Sequence, residues 1–337
     1  MQMKQRVIIA RIVPVLLVMV MFGCGKGKVK APQVVSTREV ANNGRIVVEA
    51  TFDDASRMCF QIVSATEAEV SSAGNFYFED STYWKYEGNV VIPEEFTHYG
   101  QNYRVIGIGA RAFVGCESLV SVDVPETVCK YIGSSAFANC TKLVKVNLPT
   151  RVDEIGGWAF YGCEKLVSIS IPEGPKEIYT STFGHCESLT KVRVPNSVEL
   201  ISVWSFSQCK NLTSVEMPSA VCVGTGAFSG CESLREIKMP AMEDVEDRAF
   251  SGCTSLPSVE LPASTTSVFG NAFEDCTSLQ SVTCRATTPP MTCFPHDTLD
   301  DPFTGCLLQI IMVPAQSVDA YKTADGWKKY ADIIMPI

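Results

Sequence analysis

Histidine is nearly absent: His98, His185 and His296 are the three in a chain of 337 residues. That scarcity argues against His-rich metal sites and against catalysis by an imidazole base. Long apolar runs are also missing. The stretch Ile12 to Phe22 is unbroken by charge for 11 residues, whereas a membrane-spanning helix needs about 20. Positive charge is in deficit, with 28 Lys and Arg against 37 Asp and Glu and a net charge of −9. Such a body gains nothing by approaching a polyanion, so nucleic acid is excluded as a partner. An anionic membrane surface exerts no general pull on it either. No G-x-S-x-G elbow, Walker A loop, H-E-x-x-H helix or C-x-x-C pair occurs, so the chain offers no enzyme signature, no cofactor site and no metal site. Charged residues make up 19% and hydrophobic ones 46%, which excludes wholesale disorder.

The first residues read as an address. Two charges, Lys4 and Arg6, precede the apolar stretch, which has the length of a secretory h-region. Met21-Phe22-Gly23-Cys24 follows. A small residue before a cysteine at this place resembles a bacterial lipobox, which implies cleavage after residue 23 and a lipid on Cys24. An ordinary signal with Cys24 incidental is the alternative. Removing Lys4, Arg6 and Arg11 with the leader takes the net charge from −9 to −12. Residues 24–45, with Gly, Lys and Asn-Asn-Gly, read as a polar tether.

Self-comparison then reveals a repeat. Phenylalanine recurs at 113, 137, 160, 183, 206, 228, 250 and 273; cysteine follows three positions later at each, and leucine three after that. A β-type segment ending in proline completes most copies, as in Leu119, Val122, Val124 and Pro125. L-x-x-V-x-V places alternate side chains on one face of a short strand, and proline ends it. Ala-Phe is expected in a short helical turn with the ring inward. One unit cannot bury its own apolar face; eight stacked at about 4.8 Å per coil bury a continuous column.

The segment Ile132-Gly133-Ser134-Ser135-Ala136-Phe137-Ala138-Asn139-Cys140-Thr141-Lys142-Leu143 resembles the BspA-like family of leucine-rich repeats. That resemblance implies a right-handed solenoid with one short parallel strand per coil, exported or surface-associated, serving adhesion and protein contact. We expect eight repeats over 105–284 and a β-rich N-terminal cap over 46–104, with a small hairpin near His98–Tyr103. Residues 285–337 should hold a loop, a degenerate ninth repeat from Phe303-Thr304-Gly305-Cys306, and a C-terminal cap in which Ser317 N-caps a helix.

Fifteen cysteines in an exported chain usually signal disulfides. Here eight share one repeat position and Cys306 makes nine, and neighbouring rungs point the same way, which disfavours bridging. The ladder is therefore read as small hydrophobic filling. Cys284 with Cys293 is the pair where a disulfide could form. Two acidic clusters, Glu243-Asp244 with Glu246-Asp247 and Asp297 with Asp300-Asp301, lack ordered calcium-loop spacing and read as solvated loops.

Two surfaces could bind a protein ligand. The strand face shows Lys145 and Asn147, Ser168 and Ser170, Lys191 and Arg193, and Ser214 and Glu216: polar, mixed in charge and free of aromatics. The second is the variable position two before each Phe, holding Arg111, Ser135, Trp158, Ser181, Trp204, Gly226, Arg248 and Asn271. Trp158, Trp204, Arg111 and Arg248 are interface candidates if exposed; the alternative is that both indoles fold over the neighbouring coil. Anchoring is expected at the outer membrane. Gly25-Lys26-Gly27-Lys28-Val29-Lys30 after Cys24 leaves surface and periplasmic orientation open, so the partner is a surface protein or an envelope protein.

Overall fold

A computed structural model describes residues 33–42, 45–54, 56–72, 85–126, 130–292 and 301–337. The repeat folds as its spacing demands, into a β-solenoid of about 10 coils with mostly parallel strands. The rings of Phe113, Phe137, Phe160, Phe183, Phe206, Phe228, Phe250, Phe273 and Phe303 form one column, centroids 4.9–5.6 Å apart and planes within 16° of parallel. Ladder leucines and strand valines are buried beside it. Removing this apolar surface from water is the main stabilising term, since no coil could bury it alone.

The Ala-Phe segment is not helical. It is a chain of tight turns, closed by bonds such as Ala112 N–H to Gly109 O, Val114 N–H to Arg111 O and Cys116 N–H to Phe113 O. The residues two before and two after Phe take left-handed backbone, for instance Trp158 at φ 63° and Gly162 at φ 70°. That geometry turns alternate amides along the solenoid axis. Phe160 N–H thus reaches Thr182 O on the next coil at 2.8 Å, flanked by Trp158 to Thr180 and Gly162 to Gly184, both 2.9 Å. A regular helix would spend those donors within itself.

Two further edges of each coil carry strands. One bears the L-x-x-V-x-V segments, as Lys145–Asn147 beside Leu119–Asp123; the other bears two-residue strands such as Glu154–Ile155 beside Tyr131–Ile132. Both sheets are interrupted between the coils of Phe160 and Phe183: Ser168–Ser170 forms no strand, and Glu154–Ile155 does not pair with Glu177–Ile178. The ring spacing there is 5.4 Å. Pro172 and Pro175 withhold two backbone donors on this coil. Between them Gly174 sits at φ 126°, with no room for a Cβ beside Val152 O.

The N-terminal cap is an antiparallel meander of β1 (Val34–Asn42), β2 (Arg45–Phe52), β3 (Arg57–Ile62) and β4 (Glu67–Ser71). β1 corrects the tether reading: 34–42 pairs along its length with β2, because alternate polar and β-branched residues suit an edge strand as well as a linker. After β5 (Gly88–Val91), β6 (Glu95–His98) and β7 (Gln101–Ile108) form the expected hairpin through Tyr99-Gly100, both at positive φ. β4 lies parallel to β7, so cap and solenoid share one sheet.

Aromatic rings close both ends of the column. Tyr86 packs on Phe113 at 4.6 Å, its hydroxyl donating to Ser71 O and accepting from Cys59 N–H. At the far end Trp327 and Tyr330 meet Phe303 edge-on at 6.0 and 5.9 Å. Helix α1 (Val318–Thr323) belongs to this cap. Its N-cap residue is Ser317, but the hydroxyl donates to Thr287 O at 2.7 Å instead of capping the helix. Among the described residues no helix is long and apolar enough to cross a membrane.

Candidate binding surface

The ladder cysteines prove to be more than filling. Each thiol from Cys140 onward donates to the carbonyl of the preceding coil's phenylalanine, as Cys163 to Phe137 O and Cys186 to Phe160 O, both 3.2 Å. That carbonyl already accepts its own coil's cysteine amide, Cys163 N–H to Phe160 O at 3.1 Å, so both lone pairs of a buried oxygen are used. Burial pushes the Cys209 thiol up to about 12 and the Cys116 thiol up to about 11, which leaves them un-ionised and unreactive at neutral pH. The described cysteines are free thiols. Cys284 accepts the Tyr321 hydroxyl at 3.1 Å; its proposed partner Cys293, with Cys129 and the lipidation candidate Cys24, lies outside the described residues.

With the interior assigned, the outward positions remain. On the strand face Lys191 and Arg193 line a groove of about 640 Å³, with Ser168, Ser170, Glu173 and Glu216 across the interrupted coil. Arg193 faces Glu216 at 3.6 Å, which Lys238 also approaches at 3.2 Å. Lys145 is exposed on the coil before Ser168 and does not line this groove. These exposed pairs contribute little stability; they leave a polar, charge-balanced surface.

The turn edge is different. Trp158 is 41% and Trp204 50% exposed, two coils or about 10 Å apart along the stack. The rings are open to solvent, yet each leans on something, Trp158 on its own coil and Trp204 on the next. Trp158 rests on Tyr161 at 4.8 Å, and Tyr161 meets His185 edge-on at 5.2 Å. Trp204 lies over Gly226, where a Cβ would fall 2.5 Å from the indole. Ser181, between the two tryptophans, is buried. Arg111 and Arg248 are exposed at the equivalent positions with φ 59° and 52°, Arg248 reaching Glu274 at 3.3 Å. The turn-edge candidates and the strand-face candidates therefore belong to separate edges of the coil.

Sequence reasoning missed Tyr161 as the neighbour of Trp158, and His185 as the neighbour of Tyr161. The Gly, Asn, Gln, His and Asp two after each Phe hinted at left-handed backbone there, but nothing at the position two before did. The acidic clusters hold no ion geometry among the described residues. Asp244 accepts Thr266 and Ser267 hydroxyls, and Asp301 accepts the Tyr330 hydroxyl and the Phe303 amide; Asp297 and Asp300 lie outside the described residues.

A search of curated proteins returns no match. Among solved structures the chain resembles a leucine-rich repeat protein of T. pallidum, TpLRR, at 30% identity over 62% of this chain and 87% of that one, TM-score 0.49. It also resembles a leucine rich cell surface protein of Faecalibacterium prausnitzii, at 22% identity over 80% and 96%, TM-score 0.37. A Bacteroides ovatus leucine-rich repeat protein matches at 21% identity over 83% and 98%, TM-score 0.29. Residues 106–222 and 205–318 match the family model described as BspA type Leucine rich repeat region, whose repeats are generally protein-interaction modules. The chain belongs to the BspA type leucine-rich repeat family.

Proposed function

We propose that this chain is a non-enzymatic binding module, exported, held at the outer membrane by a lipid on Cys24, and serving adhesion by displaying its solenoid to a protein ligand. The observation that carries this reading is the division of labour within each coil. Phe, Cys, Leu and the strand valines are spent on the interior, while the outward positions differ from coil to coil, which suits a scaffold whose surface is free to specify a partner. Protease shaving of intact cells tests it, with lysed cells as control. Loss of the repeat region from intact cells supports surface display, and ligand screening then follows. Radiolabelled fatty acid should enter the protein and fail to enter Cys24→Ala; label in both would remove the anchor assignment.

A second reading is supported by Gly25-Lys26-Gly27-Lys28-Val29-Lys30, a basic segment directly after the anchor. Here the solenoid faces the periplasm and scaffolds other envelope proteins. Full protection in the shaving experiment, with one stoichiometric partner recovered from crosslinked membranes, would select this reading over adhesion.

A further inference from the structure

The tryptophans sit where folding gives no reason for them. Left-handed backbone costs a bulky residue about 1–2 kcal/mol, and other coils meet the same turn with Ser135, Ser181, Gly226 or Asn271, or with the flexible side chains of Arg111 and Arg248. Two half-exposed indoles in strained positions therefore point to a surface that is used. Around Trp158 the rings continue. Trp158, Tyr161 and His185 are in contact from coil to coil, and the Tyr179 Cβ lies 3.7 Å from where a Cβ on Gly157 would stand.

Along the two-residue strands of these coils carboxylates outnumber cations, with Lys176 the one basic residue on them or directly before them. Asp153, Glu154, Glu177 and Glu199 lie on the two-residue strands or directly before them. Of the lysines nearby, Lys176 is held by Glu199 at 3.1 Å and Lys210 by Glu187 at 2.9 Å. Burial pushes the Tyr179 hydroxyl up, and nearby Glu154 and Glu177 add to it; Glu177 accepts the hydroxyl of Ser202, two residues before Trp204. Aromatic faces bordered by carboxylates suit a guanidinium, which stacks on a ring while its fork hydrogen-bonds to carboxylate; an ammonium acts there as a point charge only.

Spacing supplies the register. The two tryptophans stand two coils apart, about 10 Å. A polyproline II segment returns to the same face every third residue, after about 9 Å. We propose that this aromatic edge docks an extended segment of a partner protein that carries arginine at every third position. The proposal rests on the protein-binding reading and names the chemistry of its partner.

The test uses the full chain in detergent and a synthetic peptide of Arg-Pro-Pro repeats, with binding read by tryptophan fluorescence and by calorimetry. Peptides of Lys-Pro-Pro and Glu-Pro-Pro repeats and a soluble β-glucan oligosaccharide serve as comparisons. The arginine peptide should bind, the lysine peptide about fivefold more weakly, and the acidic peptide and sugar not at all. The double variant Trp158→Asn with Trp204→Asn should fold, because Asn271 occupies the same turn, and should bind about tenfold more weakly. Equal affinity for arginine and lysine peptides, or an unaffected double variant, would reduce the effect to net charge and overturn the proposal. Preferential sugar binding would overturn it too. A cellular protein captured equally by wild type and double variant would sink this inference and leave the protein-binding reading standing.

Discussion

The turn edge and the strand edges of the same coils behave differently. Along the turn edge the phenylalanine column, the thiol-to-carbonyl bonds and the axial amide bonds continue across the coil of Phe160 and the coil of Phe183, where both sheets stop. The L-x-x-V-x-V sheet stops again between Glu236–Lys238 and Ser258–Leu261. There Pro257 stands where Thr190, Thr213 and Arg235 each donate an amide to the preceding coil. Continuity in this solenoid is thus a property of its turns. Strands contribute where they can, and local chemistry can remove them without breaking the stack.

The comparison is broken most directly by emptying one rung of the column. Phe183→Ala should cost about 3–5 kcal/mol through lost transfer energy and a residual cavity. Arg193→Ala on the strand face should stay within about 0.5 kcal/mol. Urea denaturation of both variants decides; similar losses would show that the strand edge matters as much as the turn edge.

Alkaline titration probes the thiol ladder as a group. The folded state holds these protons above the ordinary thiol value of 9.0, with Cys116 near 11 and Cys209 near 12. A raised folded value means the contribution is complete below pH 9 and is lost as pH rises toward 12. Thermal midpoints should therefore fall across that window. The fall should shrink in a variant with three ladder cysteines changed to alanine, even though its midpoint at pH 7 is lower.

A single rung gives a smaller effect. Cys186→Ala removes a buried sulfur and leaves the Phe160 carbonyl one donor short, for a loss of about 1–2 kcal/mol. Cys186→Ser should restore a donor but not the volume, and calorimetry of the pair separates the two contributions.

The smallest prediction reverses sign between the edges. Ser135→Gly relieves left-handed backbone at φ 56° and should stabilise by about 0.5–1 kcal/mol. Ser214→Gly, within the strand Ser214–Glu216, should destabilise by a similar amount. Matching signs would contradict the backbone assignment of the turn edge.

How much of this was legible depended on whether a residue type reports the force acting on it. Phe, Cys and Leu are chosen by burial, so their period revealed the coils, the ninth repeat and the need for caps. Glycine, asparagine and aspartate two after Phe partly reported backbone handedness. Two before Phe, arginine, serine and tryptophan conceal it, so the sequence pattern suggests a helical turn where the backbone makes tight turns. The thiol's role as a donor was invisible because a small hydrophobe and a weak donor are the same residue. β1 is hidden in the sequence because an edge strand and a polar tether share a composition. The seating of His185 against Tyr161, and of Trp204 over Gly226, needs coil-to-coil contacts that no single repeat contains.

The edge-on rings at the far cap have a bearing on assembly. A column of parallel phenylalanines is a template: a further parallel ring, from any copy of the chain, would find the same seat that Phe303 found on Phe273. Trp327, turned 64° to Phe303, and Tyr330, turned 76°, occupy that seat crosswise. Trp327 is pinned there by its indole N–H on Pro290 O at 2.8 Å. Two crossed rings therefore act as a terminator, keeping a stack that could elongate into a fibre at a fixed length.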